Sequence, residues 1–190
     1  AVAGEMERHY SPGRTWEATA RAMVQLLSAG RVLDIASGDG VIGELLHRRA
    51  ESIDCVDLSS RVVEAGQQRV SSFDNVRFHQ ADMHGLPFED EVFDTVLLLH
   101  ALTYSSNPEQ AAAEAARVLS PGGRLVCATL NKHAHTIQVG AYGHVNNGFS
   151  RGALAKLFRN CNLDVDFCEV SSIEKKPPNF EILTLLAKKS

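Results

Sequence analysis

An apolar, strand-like run, Arg31–Ala36, breaks into a glycine-rich turn, Ser37–Gly40, that opens directly onto a helical pattern, Val41–Ala50. Glycines two residues apart let the chain bend sharply after a strand, and the following helix then points its N-terminus at the turn. Such a unit commits the chain to parallel pairing, because a helix returns to a sheet only as a crossover. The alternation continues. Ser52–Asp57 reads as a second strand, Ser59 as the cap of a helix from Ser60 to about Ser71, and Val76–Gln80 as a third strand. Phe93–Leu99 is nearly continuous Val and Leu, as expected of a strand covered on both faces. Pro108–Leu119 is an alanine-rich helix, Ser120-Pro121-Gly122-Gly123 a stop and turn, and Arg124–Leu130 a fifth strand. Ahead of all this, Thr15–Leu27 is amphipathic and closed by Gly30. After Leu130 the pattern weakens. Residues 131–149 are polar, contain Gly140, Gly143 and Gly148, and read as a long functional loop or lid. Ser150–Asn160 is helical, Leu163–Val170 extended, and Asn179–Ala187 a last strand after Pro177-Pro178. The sum is an α/β sandwich, one domain over residues 1–190.

A chain of 190 residues buries roughly 70% of the surface it exposes unfolded, so its core needs no staples. With 44% hydrophobic and 22% charged residues it is neither disordered nor fibrous, and no apolar run approaches a membrane span. A net charge of −4 gives this domain alone no electrostatic grip on nucleic acid. Cys55, Cys127, Cys161 and Cys168 form no CxxC and read as reduced thiols in a cytoplasmic protein. No basic-then-apolar leader is present, and a first residue of Ala1, not Met, suggests a chain cut from a longer one.

In open α/β sheets the ligand sits beyond the carboxyl ends of the strands, where strand order reverses. The first strand and its turn therefore matter most. Gly38-Asp39-Gly40-Val41-Ile42-Gly43 is a literal GxGxxG, which alone points weakly to a dinucleotide, with Gly43 a helix–sheet packing position. Charge opposes that reading. Asp34, Asp39, Asp57 and Asp82 all fall at strand ends, and four carboxylates around one crevice repel a pyrophosphate. They suit a ligand with hydroxyls and positive charge and no phosphate, such as S-adenosylmethionine. An NAD-dependent oxidoreductase is further disfavoured by the lack of a catalytic Tyr-xxx-Lys.

On these residues the chain resembles the class I S-adenosylmethionine-dependent methyltransferases. Leu33–Gly40 is similar to their first motif, Asp57 to their ribose acid, and Ala81-Asp82-Met83 to their adenine-contacting segment. Phe93-Asp94-Thr95-Val96 and Leu119-Ser120-Pro121-Gly122-Gly123 resemble the fourth-strand and fifth-strand signatures. The resemblance implies a Rossmann-like sandwich on a mostly parallel seven-stranded sheet with an antiparallel last strand. It implies S-adenosyl-L-methionine as cofactor and S-adenosyl-L-homocysteine as product. Ala36, Ser37, Gly38 and Gly40 would form the turn the ligand approaches, and Asp34 would orient its amino-acid end. Asp57 would hold both ribose hydroxyls, Asp82 the adenine amino group, Leu58 and Met83 the ring faces, and Leu99 the wall near the methyl. Ala36 departs from the family, which has a glycine there.

The acceptor side offers His100 and Tyr104 after the fourth strand, and His133, Tyr142 and His144 after the fifth. His100, Tyr104 and His144 are the catalytic candidates; Tyr10, Arg14, His133 and Tyr142 are the substrate-binding ones, with residues 1–14 as a flap. No metal is expected, since His133, His135 and His144 lack a standard ligand spacing. A thiol-rich arsenic-methylating site is disfavoured because Cys55 and Cys127 fall in strand interiors.

Three segments, residues 10–18, 99–104 and 141–146, also resemble the methyltransferase-like half of bacterial regulators in which an ArsR-type winged helix precedes this domain. That likeness implies an N-terminal winged-helix domain in a longer protein and a sensing role for S-adenosylhomocysteine without catalysis. A homodimer is carried as a possible assembly. The main expectation is methyl transfer to a small-molecule acceptor; ligand sensing is the alternative.

Overall fold

The computed structural model describes residues 16–190; the candidates Tyr10 and Arg14 and the 1–14 flap lie outside them. The elements run α1 (Trp16–Val24), β1 (Gly30–Ile35), α2 (Val41–Leu46), β2 (Ala50–Asp57), α3 (Ser60–Arg69), β3 (Val76–Gln80), β4 (Phe93–Leu99), α4 (Pro108–Val118), β5 (Leu119–Leu130), α5 (Thr136–Gly140), α6 (Arg151–Arg159), β6 (Leu163–Ile173) and β7 (Glu181–Lys189). They build one seven-stranded sheet of order β3-β2-β1-β4-β5-β7-β6. β1 to β5 pair in parallel, and β7 runs antiparallel to both of its neighbours.

Two cores follow from the period-two alternation of the central strands. Val32, Ile53 and Cys55 pack with Leu46 and Val63 beneath α2 and α3. Leu33, Ile35, Val96 and Leu98 pack on the opposite face with Ala111, Ala115, Leu154 and Phe158 of α4 and α6. Small side chains let α4 lie close to the sheet: Ala111, Ala112 and Ala115 are fully buried. Pro108 opens that helix, and the Asn107 side chain caps it by accepting from Gln110 N at 3.2 Å.

Several boundaries differ from the sequence reading, each for a local reason. α1 stops at Val24, because the backbone bonds of residues 25–27 reach back only three residues and tighten into a turn. α2 ends at Leu46, since Ala50 is already paired with Gly30 in the sheet. Ser59 occupies the N-cap position of α3 without a side-chain cap; Asp57 accepts from Ser59 N instead, at 2.9 Å. Ser120–Gly123 does not precede β5 but lies within it, as an excursion: Leu119 pairs with Phe93 and Arg124 with Thr95. β7 starts only at Glu181 because the turn after Pro178 extends through Asn179, whose side chain donates to Glu174 O at 2.9 Å.

Residues 131–149 are not one open loop. An Asn131–Phe149 bridge closes their base, α5 lies inside them, and Val145 N and Asn146 Nδ2 donate to Thr103 O and Leu102 O, each at 2.9 Å. The loop is thereby pinned to the 3₁₀ turn Leu102–Tyr104 that follows β4. Strand order reverses between β1 and β4, so a crevice opens at their carboxyl ends.

Candidate functional site

The turn after β1 is shaped by three left-handed residues in alternation, Ala36 (φ 57), Gly38 (φ 58) and Gly40 (φ 82). The two glycines serve different ends. A Cβ on Gly40 would sit 2.6 Å from Phe78 Cζ, so that position is reserved for packing against β3. A Cβ on Gly38 would meet nothing within 4 Å among the described residues, leaving its face open there to an approaching group. Gly43 closes the helix onto the sheet, where a side chain would meet Val76 at 3.1 Å and Cys55 at 3.4 Å.

Beyond this turn lies a cavity of about 810 Å³ over the ends of β1, β2, β3 and β4. Ala36, Gly38, Asp57, Leu58, Asp82, Met83 and Leu99 all line it, as do His100 and Tyr104. Asp57 is set by two backbone donors, Gly38 N to Oδ2 at 3.2 Å and Ser59 N to Oδ1 at 2.9 Å. Each oxygen keeps lone-pair capacity for a further donor. Leu58 is 67% exposed, an apolar face offered to the cavity. No Lys or Arg lines the cavity among the described residues.

Asp34, Ser37 and Gly40 were assigned to the ligand, but none of them lines the cavity. Asp34 is only 1% exposed, and its buried Oδ2 has no hydrogen-bond partner among the described residues. Burial, with a smaller contribution from Asp57, pushes its carboxyl up to about 7. Ser37 Oγ is likewise buried, close to the Cys55 thiol. Asp39 corrects the count of four crevice carboxylates. It pairs with Arg69 at 2.7 Å, in a surface network that also holds Glu44 and Arg21. Two carboxylates, Asp57 and Asp82, remain in the lining.

On the β4 side, His100 adopts φ 62 and donates its N–H to Ala128 O at 2.7 Å, fixing it between the ends of β4 and β5. Burial lowers its imidazole below the usual range, as it does for His144 and His133. His144 does not line the cavity; its ring contacts that of Tyr104 edge-on, with centroids 4.8 Å apart. His133 lies outside the lining too, packed against His135 and Phe180. Its Nδ1 accepts from His135 N at 3.1 Å, so a neutral ring carries its proton on Nε2, which is buried and unpartnered. Tyr142 is 77% exposed and apart from the cavity. Among the described residues no group of three His, Cys, Asp or Glu could hold a metal ion, and no helix is long and apolar enough to cross a membrane. Cys55 and Cys127 are buried with thiols pushed up by desolvation, as unreactive core groups are.

The sequence reading missed His84. It lines the cavity, bonds Asp82 Oδ1 through Nδ1 at 2.6 Å, and reaches Ser105 Oγ through Nε2 at 2.8 Å. Its position two residues after Asp82 was the available signal, since Asp commonly bonds the backbone two residues on.

Residues 33–127 match the family described as methyltransferase domain, and the chain belongs to that family. Over 111 residues it is 33% identical to a demethylmenaquinone methyltransferase of Clavibacter sepedonicus, a match covering 58% of this chain and 45% of that protein. The chain thus spans under half the length of that curated relative. The fold is shared with a geranyl diphosphate C-methyltransferase of Streptomyces coelicolor A3(2), solved with Mg²⁺, geranyl diphosphate and S-adenosyl-L-homocysteine. That pair has a TM-score of 0.76 at 18% identity, over 98% of this chain and 86% of the other. It is shared equally with the 4+2 cyclase SpnF, at a TM-score of 0.75 and 20% identity, over 94% and 84% of the two chains. Neighbours with such different names show that the fold alone does not fix the reaction.

Proposed function

We propose that this chain binds S-adenosylmethionine in the cavity and transfers its methyl group to a small-molecule acceptor entering on the His100–Tyr104 side. The observation that carries the reading is the charge of the lining: two carboxylates, apolar faces and no cation among the described residues. A diphosphate would be repelled there, whereas a ribose diol can donate to Asp57 and a cation is tolerated. The chain's own groups fit the rest of the ligand. The open face of Gly38 admits close approach. Leu58 and Met83 offer apolar walls for a flat base, and Asp82 an acceptor for its amino group.

When bound, S-adenosylmethionine supplies an electrophilic methyl group on a sulfonium. The chain's part is to hold and orient the partners and to take a proton. Desolvation lowers the His100 imidazole from its usual value, which favours the form that accepts a proton from an acidic O–H or C–H of the acceptor. Tyr104 lines the same wall, and His144 braces its ring.

The test is to incubate the chain with methyl-labelled S-adenosylmethionine and a panel of small acceptors, beginning with demethylmenaquinone, the compound in the name of the 33%-identical relative. Label should pass to an acceptor with the wild-type chain and fall about 100-fold or more with Asp57→Ala. A chain that binds the nucleoside yet labels no acceptor would contradict the transfer reading.

A further inference from the structure

Asp82, His84 and Ser105 form a continuous hydrogen-bonded line along the cavity wall. Acid, imidazole and hydroxyl follow in the order of a nucleophilic relay, but Ser105 is only 2% exposed, and its Oγ is engaged by Asn107 N at 3.2 Å. The line therefore ends in the protein interior, and its purpose lies at the other end, on Asp82.

The direction of the protons can be read along the line. Ser105 Oγ accepts from Asn107 N, so its own proton is free to go to His84 Nε2. In that tautomer His84 Nδ1 carries the hydrogen and donates it to Asp82 Oδ1 at 2.6 Å. The same oxygen also accepts from His84 N at 2.9 Å. The segment is anchored from α4 as well, where Gln110 Nε2 donates to His84 O at 3.2 Å and Glu114 accepts from Leu86 N at 2.8 Å. Oδ1 is thus twice engaged, no partner of Oδ2 is found among the described residues, and Asp82 lines the cavity.

Resting on the nucleoside reading above, we propose that His84 is a positioning residue that sets base selectivity: it locks Asp82 so that Oδ2 accepts from an exocyclic amino group and rejects a carbonyl in the same place. A fixed, ionised acceptor opposed to a carbonyl oxygen leaves both groups unpaired, which is the arrangement that discriminates most sharply between close analogues. Released from His84, the carboxylate can turn or present either oxygen, and the discrimination falls. The lock also ties the base end of the cavity to the turn carrying Tyr104, because Ser105 is its next residue.

Calorimetric titration with S-adenosylhomocysteine and with its deaminated analogue, S-inosylhomocysteine, tests this on the wild type, His84→Asn and His84→Gln. An Asn amide nitrogen stands near the place of Nδ1 and can keep the bond to Asp82; a Gln amide nitrogen stands near Nε2 and cannot. The wild type should prefer the adenosyl ligand by about 30-fold or more, and His84→Asn should stay within about 3-fold of that preference. His84→Gln should bind the adenosyl ligand about 10-fold more weakly, with the preference reduced to about 3-fold. A His84→Gln chain that keeps the wild-type preference overturns the inference while the nucleoside reading stands. Equal loss of preference in both variants, with equally lowered melting temperatures, also overturns it, since that is what a merely structural residue gives. A wild type that binds neither ligand overturns the nucleoside reading and this inference with it.

Discussion

At the β1–β3 end of the cavity the polar groups are held by backbone bonds close to strand termini, whereas toward β4–β5 stand imidazoles, of which His100 lines the cavity and His133 and His144, on the loop 131–149, lie outside the lining. Asp57 is fixed by the amides of Gly38 and Ser59, and Asp82 by the amide and ring of His84. His133 and His144 depend instead on where a long loop docks, through bonds such as Val145 N to Thr103 O at 2.9 Å. The first end is charged and preorganised; at the second, desolvation lowers all three imidazoles. A site divided this way binds one ligand by fixed electrostatics and leaves the reacting partner to shape and proton transfer.

The sharpest way to break the comparison is to remove the charge at the first end. Asp57→Ala should weaken S-adenosylhomocysteine binding by at least about 100-fold, read by calorimetry, because two hydrogen bonds to a carboxylate are lost at about 1.5–3 kcal/mol each. An effect under about 3-fold would show that the ribose lies elsewhere.

The two turn glycines separate folding from binding. Gly40→Ala places a methyl 2.6 Å from Phe78 Cζ at a left-handed φ of 82, and should cost about 2–3 kcal/mol of stability in chemical denaturation. Gly38→Ala meets no atom of the described residues within 4 Å, so it should cost about 1 kcal/mol of stability and lose most of the ligand affinity. If the two variants behave alike, the open face of Gly38 is not a contact surface.

Asp34 gives the comparison a pH signature. Its carboxyl is raised in the folded chain from 3.8 to about 7, so the fold holds a proton there that the unfolded chain has already lost. Its contribution to stability is complete below pH 3.8 and drains away as pH rises to about 7. Melting curves of the wild type and Asp34→Asn should therefore diverge across that interval, with the variant relatively more stable at the upper end. Curves that stay parallel would place the Asp34 carboxyl outside a desolvated site.

Smaller effects are expected from the second end and from the departure at Ala36. His144→Leu should change S-adenosylhomocysteine affinity by less than about 3-fold, since its ring touches Tyr104 and not the cavity. Ala36→Gly relieves a left-handed alanine and should raise the melting temperature by about 2–4 °C at most. A fall would mean that the methyl packs usefully.

The same contrast explains what was legible in the sequence. The strand–turn–helix units and the placement of Asp57, Leu58, Asp82 and Met83 could be read because each follows directly on a strand end. Asp39 was misjudged because Arg69, which turns it outward, lies 30 residues away. His84 was missed because Ser105, its second partner, meets it only when β4 stands beside β1. Ser120–Gly123 carries a strong turn signal, yet strand pairing resumes on both sides of it. Local chemistry was visible, and contacts made by tertiary approach were not.

An anionic and apolar lining suits the cavity to a phosphate-free adenine nucleoside. The wild-type chain, titrated in parallel with S-adenosylmethionine, S-adenosylhomocysteine and NAD, should bind one molecule of either S-adenosyl ligand and no NAD. Binding of NAD with neither S-adenosyl ligand would contradict that reading.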